Sequence, residues 1–243
     1  GAKLFFKCEN FQKTGSFKAR GATHAILKLS PSEKAAGVAT HSSGNHGQAL
    51  AWAAQALGLS CHVIMPNNAP LVKIAAVKGY GAKVHLCEAN LAAREAGLKR
   101  IQEEYGSVFI PPYDHPHIIA GQSTAATELL EEQPDLDILM APVGGGGLLA
   151  GTALSAHYFA PRVKVIAGEP LGANDAYRSF IGGIRVTNHK PNTIADGLLT
   201  TLGLTNYPII QSLVNDIITV SDSEIIAAMQ LIYTRLKIVI EPS

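Results

Sequence analysis

Residues 137–159 read DILMAPVGGGGLLAGTALSAHYF and set the architecture of the chain. After Asp137 comes an apolar run of the kind found in strands that are covered on both faces. Four consecutive glycines follow, and an apolar helical segment begins at Leu148. A strand that passes through a short turn into a helix is one half of a βαβ unit, which predicts a parallel sheet.

The same succession of apolar run and helical segment recurs along the whole chain. Strands separated by helices of about 10–15 residues are typical of βαβ units. We therefore predict an α/β fold with open parallel sheets and flanking helices, and the Pro-rich segment IPPYDHP marks a crossing point between two lobes. The predicted strands span residues 3–8, 37–43, 61–66, 82–88, 107–112, 137–143, 163–169 and 216–221, and the predicted helices span 46–57, 69–80, 90–105, 120–132, 148–159 and 221–238.

The composition argues against several classes of partner. The 20 basic and 19 acidic residues give a net charge of +1, which gives no indication of nucleic acid or of a membrane surface. No apolar run approaches the ~20 residues of a transmembrane helix. The three cysteines form no CxxC pair, so we expect a reduced, cytoplasmic protein. Because the chain opens in one apolar run and ends just after another, we expect both ends to be cut.

The glycines at positions 144–147 form the first candidate binding loop. Without Cβ atoms they let the backbone approach a ligand closely, and the N–H groups at the start of the next helix attract an anion. We interpret the loop as a phosphate site, since a tight turn needs fewer glycines. Gly145, Gly147 and Ala150 also match the fingerprint GxGxxA, with Glu169 ending the next strand, so a nicotinamide-dependent oxidoreductase is an alternative.

Two further segments carry polar or basic groups. The loop HSSGNHG (41–47) places two hydroxyls, an amide and an imidazole before a helix, which fits a carboxylate; helix capping explains only one of them. The segment TGSFKARG (14–21) places Lys18 beside Phe17 and behind the apolar run LFFKC. A lysine desolvated there has a lowered pKa and a nucleophilic amine, and a solvent-exposed lysine is the alternative.

The motifs SFKARG, SSGNHG and GGGGLLAG occur in the order found in fold-type II pyridoxal-phosphate (PLP) enzymes. Over essentially its whole length, including AGQST, TIADGL and KIVIEPS, the chain resembles the serine racemase and serine/threonine dehydratase family, with threo-3-hydroxyaspartate dehydratases as close relatives. The resemblance implies a large cofactor-binding domain of residues 1–36 and 115–243 and a small domain of residues 37–114. It also implies a homodimer that acts on a small-molecule amino acid.

The resemblance implies cofactor contacts at defined positions. Lys18 forms the covalent link to PLP and moves protons on one face of the cofactor. Phe17 packs by the cofactor ring, and Asn45 hydrogen-bonds the phenolic oxygen. The phosphate is held by Gly144, Gly145, Gly146 and Gly147 together with the N–H of Leu148.

The resemblance also implies substrate contacts. Ser42 and His46 contact the substrate carboxylate, and Arg94 and Thr200 lie near the substrate. Ser43 matches the second acid/base of racemases, where similar threonine dehydratases usually carry alanine. Inversion at an α-carbon needs a proton donor on each face, so a serine here makes racemisation chemically possible. Helix capping is the alternative, and hydroxyaspartate dehydratases also carry serine there.

A metal site is implied as well. Glu169, Ala173 and Asp175 match a loop that holds Mg²⁺ or Ca²⁺ through two carboxylates and a carbonyl; a solvated acidic loop is the alternative. The implied function is racemisation of L-serine, β-elimination to pyruvate and ammonia, or both. Dehydration of threonine or threo-3-hydroxyaspartate without racemase activity is an alternative, and so is a non-catalytic relative that kept the fold.

Overall fold

The computed structural model describes residues 1–42 and 44–243, so Ser43 lies outside the described residues. The chain divides into a large unit, formed by Gly1–Asn10 with Tyr113–Ser243, and a small unit, formed by Phe11–Pro112. The division falls inside the Pro-rich segment that the sequence marks as a crossing point. Residues 11–36, expected in the large domain, lie in the small unit instead, because the helix that begins at Lys18 packs against the helix that begins at Asn45.

The small unit is built around a parallel sheet. Its elements are α1 (Lys18–Leu27), α2 (Pro31–Ala36), β1 (Val38–His41), α3 (Asn45–Ala56), β2 (Cys61–Pro66), α4 (Leu71–Gly79), β3 (Lys83–Cys87), α5 (Leu91–Tyr105) and β4 (Val108–Phe109). In its described residues four strands pair in the order β3-β2-β1-β4. Strand β2 is buried from Cys61 to Met65 because α3 and α5 pack against it, which explains its apolar sequence.

The large unit is described throughout and also contains a parallel sheet. Its elements are α6 (Pro116–Glu132), β5 (Ile138–Pro142), α7 (Gly147–Phe159), β6 (Lys164–Pro170), α8 (Asp175–Gly182), α9 (Asn206–Leu213), β7 (Asp216–Val220) and α10 (Asp222–Leu236). Its described strands pair in the order β5-β6-β7. Helices α6 and α7 cross closely, since a Cβ added at Gly151 would lie 2.7 Å from the nitrogen of Ser123. This packing fixes the start of α7, which follows the glycine loop.

The predicted α/β class with parallel sheets and flanking helices is confirmed. The strand predicted over residues 3–8 is wrong, because these residues form no strand and Leu4, Phe5 and Phe6 are exposed. Helices α1, α2, α8 and α9 were not predicted, because they are short or lack a long run of regularly spaced apolar residues. Among the described residues, no helix combines the length and the apolar character that crossing a bilayer requires.

Candidate active site

Lys18 lies at the first position of α1, in the small unit. Its Nζ donates a hydrogen bond to the carbonyl oxygen of Pro112 at 2.7 Å and lies 5.1 Å from the centre of the Phe17 ring. Burial lowers the pKa of the amine to about 8. This agrees with the desolvated lysine expected from the sequence, since a solvent-exposed ammonium has a pKa of about 10.4. A useful fraction of the amine is therefore neutral and nucleophilic near neutral pH.

Ser42 and Gly44 lie between the end of β1 and the start of α3. Gly44 is the N-cap residue of α3, and among the described residues no side-chain hydrogen bond caps this helix. The Oγ of Ser42 accepts a hydrogen bond from the N–H of Gly44 at 3.4 Å. A Cβ on Gly47 would overlap the carbonyl oxygen of Ser42, so only glycine fits there. Asn45 follows as the first residue of α3, and the N–H groups of Gly47 and Gln48 donate to the carbonyl oxygen of Gly44 at 3.1 and 3.4 Å.

His46 is buried under this loop, and its protonation state limits what it can do. Its Nε2 lies 2.9 Å from the carbonyl oxygen of Ile110 and must carry the proton that it donates. Burial lowers the pKa of the ring to about 3, and the charge of Lys18 contributes. The ring is therefore neutral, and Nδ1 presents a lone pair that repels a carboxylate. A carboxylate contact at His46 would have to use the backbone N–H, not the ring.

Arg94 belongs to α5, in the same unit as the HSSGNHG loop. Burial lowers the pKa of His41, and the positive charge of Arg94 lowers it further. The His41 ring stacks on Phe109 with a centroid distance of 5.4 Å. The guanidinium is therefore close enough to His41, the last residue of β1, to interact with it electrostatically.

The glycine loop occupies the start of α7 in the large unit. Gly146 has a φ of 92°, in the region that favours glycine, and it is the N-cap residue of α7 without any side-chain cap. The first N–H groups of α7 therefore remain for an anion, in the positive field of the helix dipole. A Cβ on Gly145 would overlap the ring of Tyr113, and one on Gly147 would lie 2.9 Å from the Tyr113 carbonyl oxygen. Packing against Tyr113 therefore requires glycine at both positions.

Sequence reasoning missed Tyr113, which covers the glycine loop. Burial and then the charge of Asp114 raise the pKa of its phenol, whereas a hydrogen bond with the side chain of Thr200 lowers it. Thr200, predicted to lie near the substrate, is thereby placed beside the residue that packs on Gly145. An aromatic residue in a Pro-rich segment gives no sequence signal for such a contact.

The two carboxylates of the predicted metal loop are both buried. Glu169 accepts hydrogen bonds from the N–H groups of Ala176 and Tyr177 at 2.9 and 2.8 Å, and Asp175 accepts one from Leu202 at 3.2 Å. Burial raises the pKa of Glu169 to about 8 and also raises that of Asp175. Both oxygens of Glu169 therefore accept a hydrogen bond from the first turn of α8.

A cation at this loop would depend on backbone and water ligands. Within residues 1–42 and 44–243, no group of three or more His, Cys, Asp or Glu side chains converges as a metal site. The two carboxylates flank Ala173, which is buried in the short turn before α8. Two buried carboxylates and a nearby carbonyl are hard oxygen donors that fit Mg²⁺ or Ca²⁺.

Comparison with known proteins places this geometry in a family. Residues 1–243 match the family described as "Pyridoxal-phosphate dependent enzyme". The chain is 51% identical to serine racemase of Dictyostelium discoideum over 100% of this chain and 76% of that protein, and 48% identical to beta-hydroxyaspartate dehydratase of Paracoccus denitrificans (strain Pd 1222), over 100% and 77%. The crystal structure of the Dictyostelium enzyme superposes with a TM-score of 0.94 over 98% of this chain and 77% of that chain. The chain therefore belongs to the pyridoxal-phosphate dependent enzymes.

Proposed function

We propose that this chain is a PLP-dependent racemase, a β-eliminating dehydratase, or both, for L-serine or a related β-hydroxy amino acid. The products would be D-serine, or pyruvate and ammonia. The observation that carries the proposal is the amine of Lys18, whose pKa is lowered to about 8 at the start of α1. Similarity to a serine racemase and to a β-hydroxyaspartate dehydratase supports the substrate class.

The residues of the chain would divide the work as follows. PLP, when bound, supplies an electron sink for the α-carbon of an amino acid. The Nζ of Lys18 would take up or return the α-proton, since its lowered pKa leaves the amine partly neutral. The Pro112 carbonyl orients this amine through their hydrogen bond of 2.7 Å. The N–H groups at the start of α3 would bind the substrate carboxylate, and those at the start of α7 would bind the cofactor phosphate.

Ser43 would be the second acid/base, which racemisation needs and elimination does not. Replacing Ser43 with alanine is expected to reduce D-serine formation by at least about a hundredfold, because one face of the α-carbon loses its proton donor. Release of keto acid and ammonia should persist. The measurement is a panel of serine, threonine and 3-hydroxyaspartate, with keto acid and D-isomer both quantified.

The matched control for this panel is Ser42→Ala, which removes a neighbouring hydroxyl that accepts a hydrogen bond from the N–H of Gly44. Ser42→Ala should change the rates of racemisation and elimination by a similar factor. If Ser43→Ala lowered both reactions equally, or neither, the two-base role would be rejected. Keto acid from threonine or 3-hydroxyaspartate without any D-isomer in the unmodified protein would favour the second candidate, a dehydratase without racemase activity.

We also propose that Glu169, the Ala173 carbonyl and Asp175 hold Mg²⁺ or Ca²⁺. Burial raises the pKa of both carboxyl groups. The charge of a divalent cation would offset this cost of burying two carboxylates. We expect Ca²⁺ at about 100 times its Kd to add about 2.7 kcal/mol to the free energy of unfolding. Thermal melts with chelator and with Ca²⁺ measure this gain. Asp175→Asn should lose it and the exposed control Asp135→Asn should keep it; an equal response in both would contradict the site.

The pH dependence of cofactor uptake follows from the pKa of Lys18. Below about pH 8 the amine is protonated and cannot attack an aldehyde, so uptake of PLP by the apoprotein should slow as the pH falls. The rate of uptake is measured by stopped-flow absorbance between pH 6 and pH 10, about two units on either side of the expected pKa. The midpoint of the rate profile should lie near pH 8. A midpoint near that of exposed lysines, about 10.4, would contradict the desolvated state.

We further propose that the protein works as a homodimer in the cytoplasm, as its family resemblance implies. The free thiols of Cys8, Cys61 and Cys87 are compatible with a reducing compartment. Sedimentation velocity of the purified protein tests the assembly, and a single monomeric species at micromolar concentration would contradict it.

A further inference from the structure

Asn206 lies directly behind the glycine loop, at the start of α9 in the large unit. The residue is fully buried, and α9 packs against α7. Its Nδ2 donates to the carbonyl oxygen of Gly145 at 2.7 Å and to that of Tyr113 at 3.4 Å. The N–H of Gly203 donates to the same Gly145 oxygen at 3.0 Å. The Gly145 carbonyl is therefore held from two sides.

Fixing this carbonyl also fixes the direction of a neighbouring N–H group. The described peptide bonds are trans, and in a planar trans peptide the C=O and the N–H point in opposite directions. Because the Gly145 carbonyl points towards Asn206, the N–H of Gly146 points away from it. Gly146 is the N-cap residue of α7, so this N–H belongs to the group of donors that the helix itself does not use.

Asp114 holds Asn206 in place from the other side of the turn. Its carboxylate accepts hydrogen bonds from the N–H groups of Leu204 and Thr205, each at 2.8 Å. These residues immediately precede Asn206, so the turn that presents the amide is itself anchored. Among the described residues the Oδ1 of Asn206 finds no hydrogen-bond partner. The two carbonyl acceptors of Nδ2 therefore determine the orientation of the amide.

We propose that Asn206 is a positioning residue for the cofactor phosphate. It does not touch the anion but acts through the Gly145 peptide, whose orientation aims the N–H of Gly146 at the phosphate. The inference rests on the proposed function, in which the glycine loop binds that phosphate. Removal of Asn206 should weaken the binding of a phosphorylated ligand and leave the binding of its unphosphorylated counterpart unchanged.

The experiment compares PLP with pyridoxal, which lacks the phosphate, as ligands of the apoprotein. Asn206→Leu removes the amide donor and keeps a similar shape. We expect the Kd for PLP to rise about tenfold or more, as for the loss of a buried hydrogen bond, with the Kd for pyridoxal unchanged. Asn206→Ser keeps a hydrogen-bond donor and should recover part of the affinity for PLP. It is the variant to measure if Asn206→Leu does not fold. The control is Asn215→Ala, which removes the acceptor of the Val165 N–H elsewhere in the unit and should change neither Kd.

The outcomes separate the inference from the function on which it rests. If the unmodified protein bound PLP and pyridoxal equally, the phosphate role of the glycine loop would fail, and the inference with it. If the unmodified protein preferred PLP and Asn206→Leu kept that preference, the inference alone would be overturned. An equal loss of affinity for PLP and for pyridoxal in Asn206→Leu would likewise overturn the inference, because a merely structural role predicts that result.

Discussion

Replacing Lys18 with alanine is expected to lower the release of keto acid and ammonia by at least about a thousandfold. The variant loses both the amine that would link to PLP and the group that would move the α-proton. Lys18 is the first residue of α1, and its Nζ lies 5.1 Å from the centre of the Phe17 ring. The measurement is steady-state release of keto acid with saturating PLP and serine.

The matched control for this variant is Lys28→Ala, which removes an exposed lysine at the other end of α1. It should leave turnover unchanged, because the Lys28 side chain is exposed to solvent. Folding of both variants is checked by circular dichroism and thermal melts. Turnover of Lys18→Ala within tenfold of the unmodified protein, with retained PLP absorbance, would contradict the assigned role.

Gly145→Ala is expected to destabilise the large unit and to disturb the glycine loop. The added Cβ would overlap the base of the Tyr113 ring, which cannot swing away because the ring is partly buried and its hydroxyl bonds to Thr200. Overpacking of this kind costs about 1–3 kcal/mol of unfolding free energy. The loop should also lose affinity for PLP, because its peptides must shift. Urea denaturation and PLP titration measure the two effects.

Two further variants identify the cause of that loss. Gly182→Ala is the control, because no neighbouring packed atom lies within 4 Å of its added Cβ. Since Gly182 belongs to α8, alanine there should raise the free energy of unfolding by up to about 1 kcal/mol. In a Tyr113→Ala background the additional cost of Gly145→Ala should largely disappear, since the ring that it overlaps is gone. An undiminished cost in that background would show that the Tyr113 contact is not the reason.

The alternation of apolar runs and helical segments was enough to predict most of the fold. Strand β2 is predicted with its observed bounds because a strand buried on both faces leaves a continuous apolar run. The run LFFKC failed as a strand because local apolar character does not supply a pairing partner. Helix α1 was missed because KARGATHAIL buries small residues, mostly alanine and glycine, which carry little periodic signal.

The candidate site was predictable where a local sequence motif marks it and not where groups distant in the sequence meet. The position of Lys18 and the glycine loop followed from motifs. The carbonyls of Pro112 and Ile110, which orient Lys18 and His46, have no sequence signature. The neutral state of His46 likewise depends on tertiary burial, so a ring contact with a carboxylate could not be excluded beforehand.

The most direct test of the central claim is reductive trapping of the cofactor, followed by peptide mapping. The protein is incubated with PLP, treated with borohydride, digested and analysed by mass spectrometry. We expect one pyridoxyl-modified peptide, with the modification on Lys18 and the visible PLP absorbance lost on reduction. Modification of a different lysine, or an unmodified Lys18 under these conditions, would contradict the account.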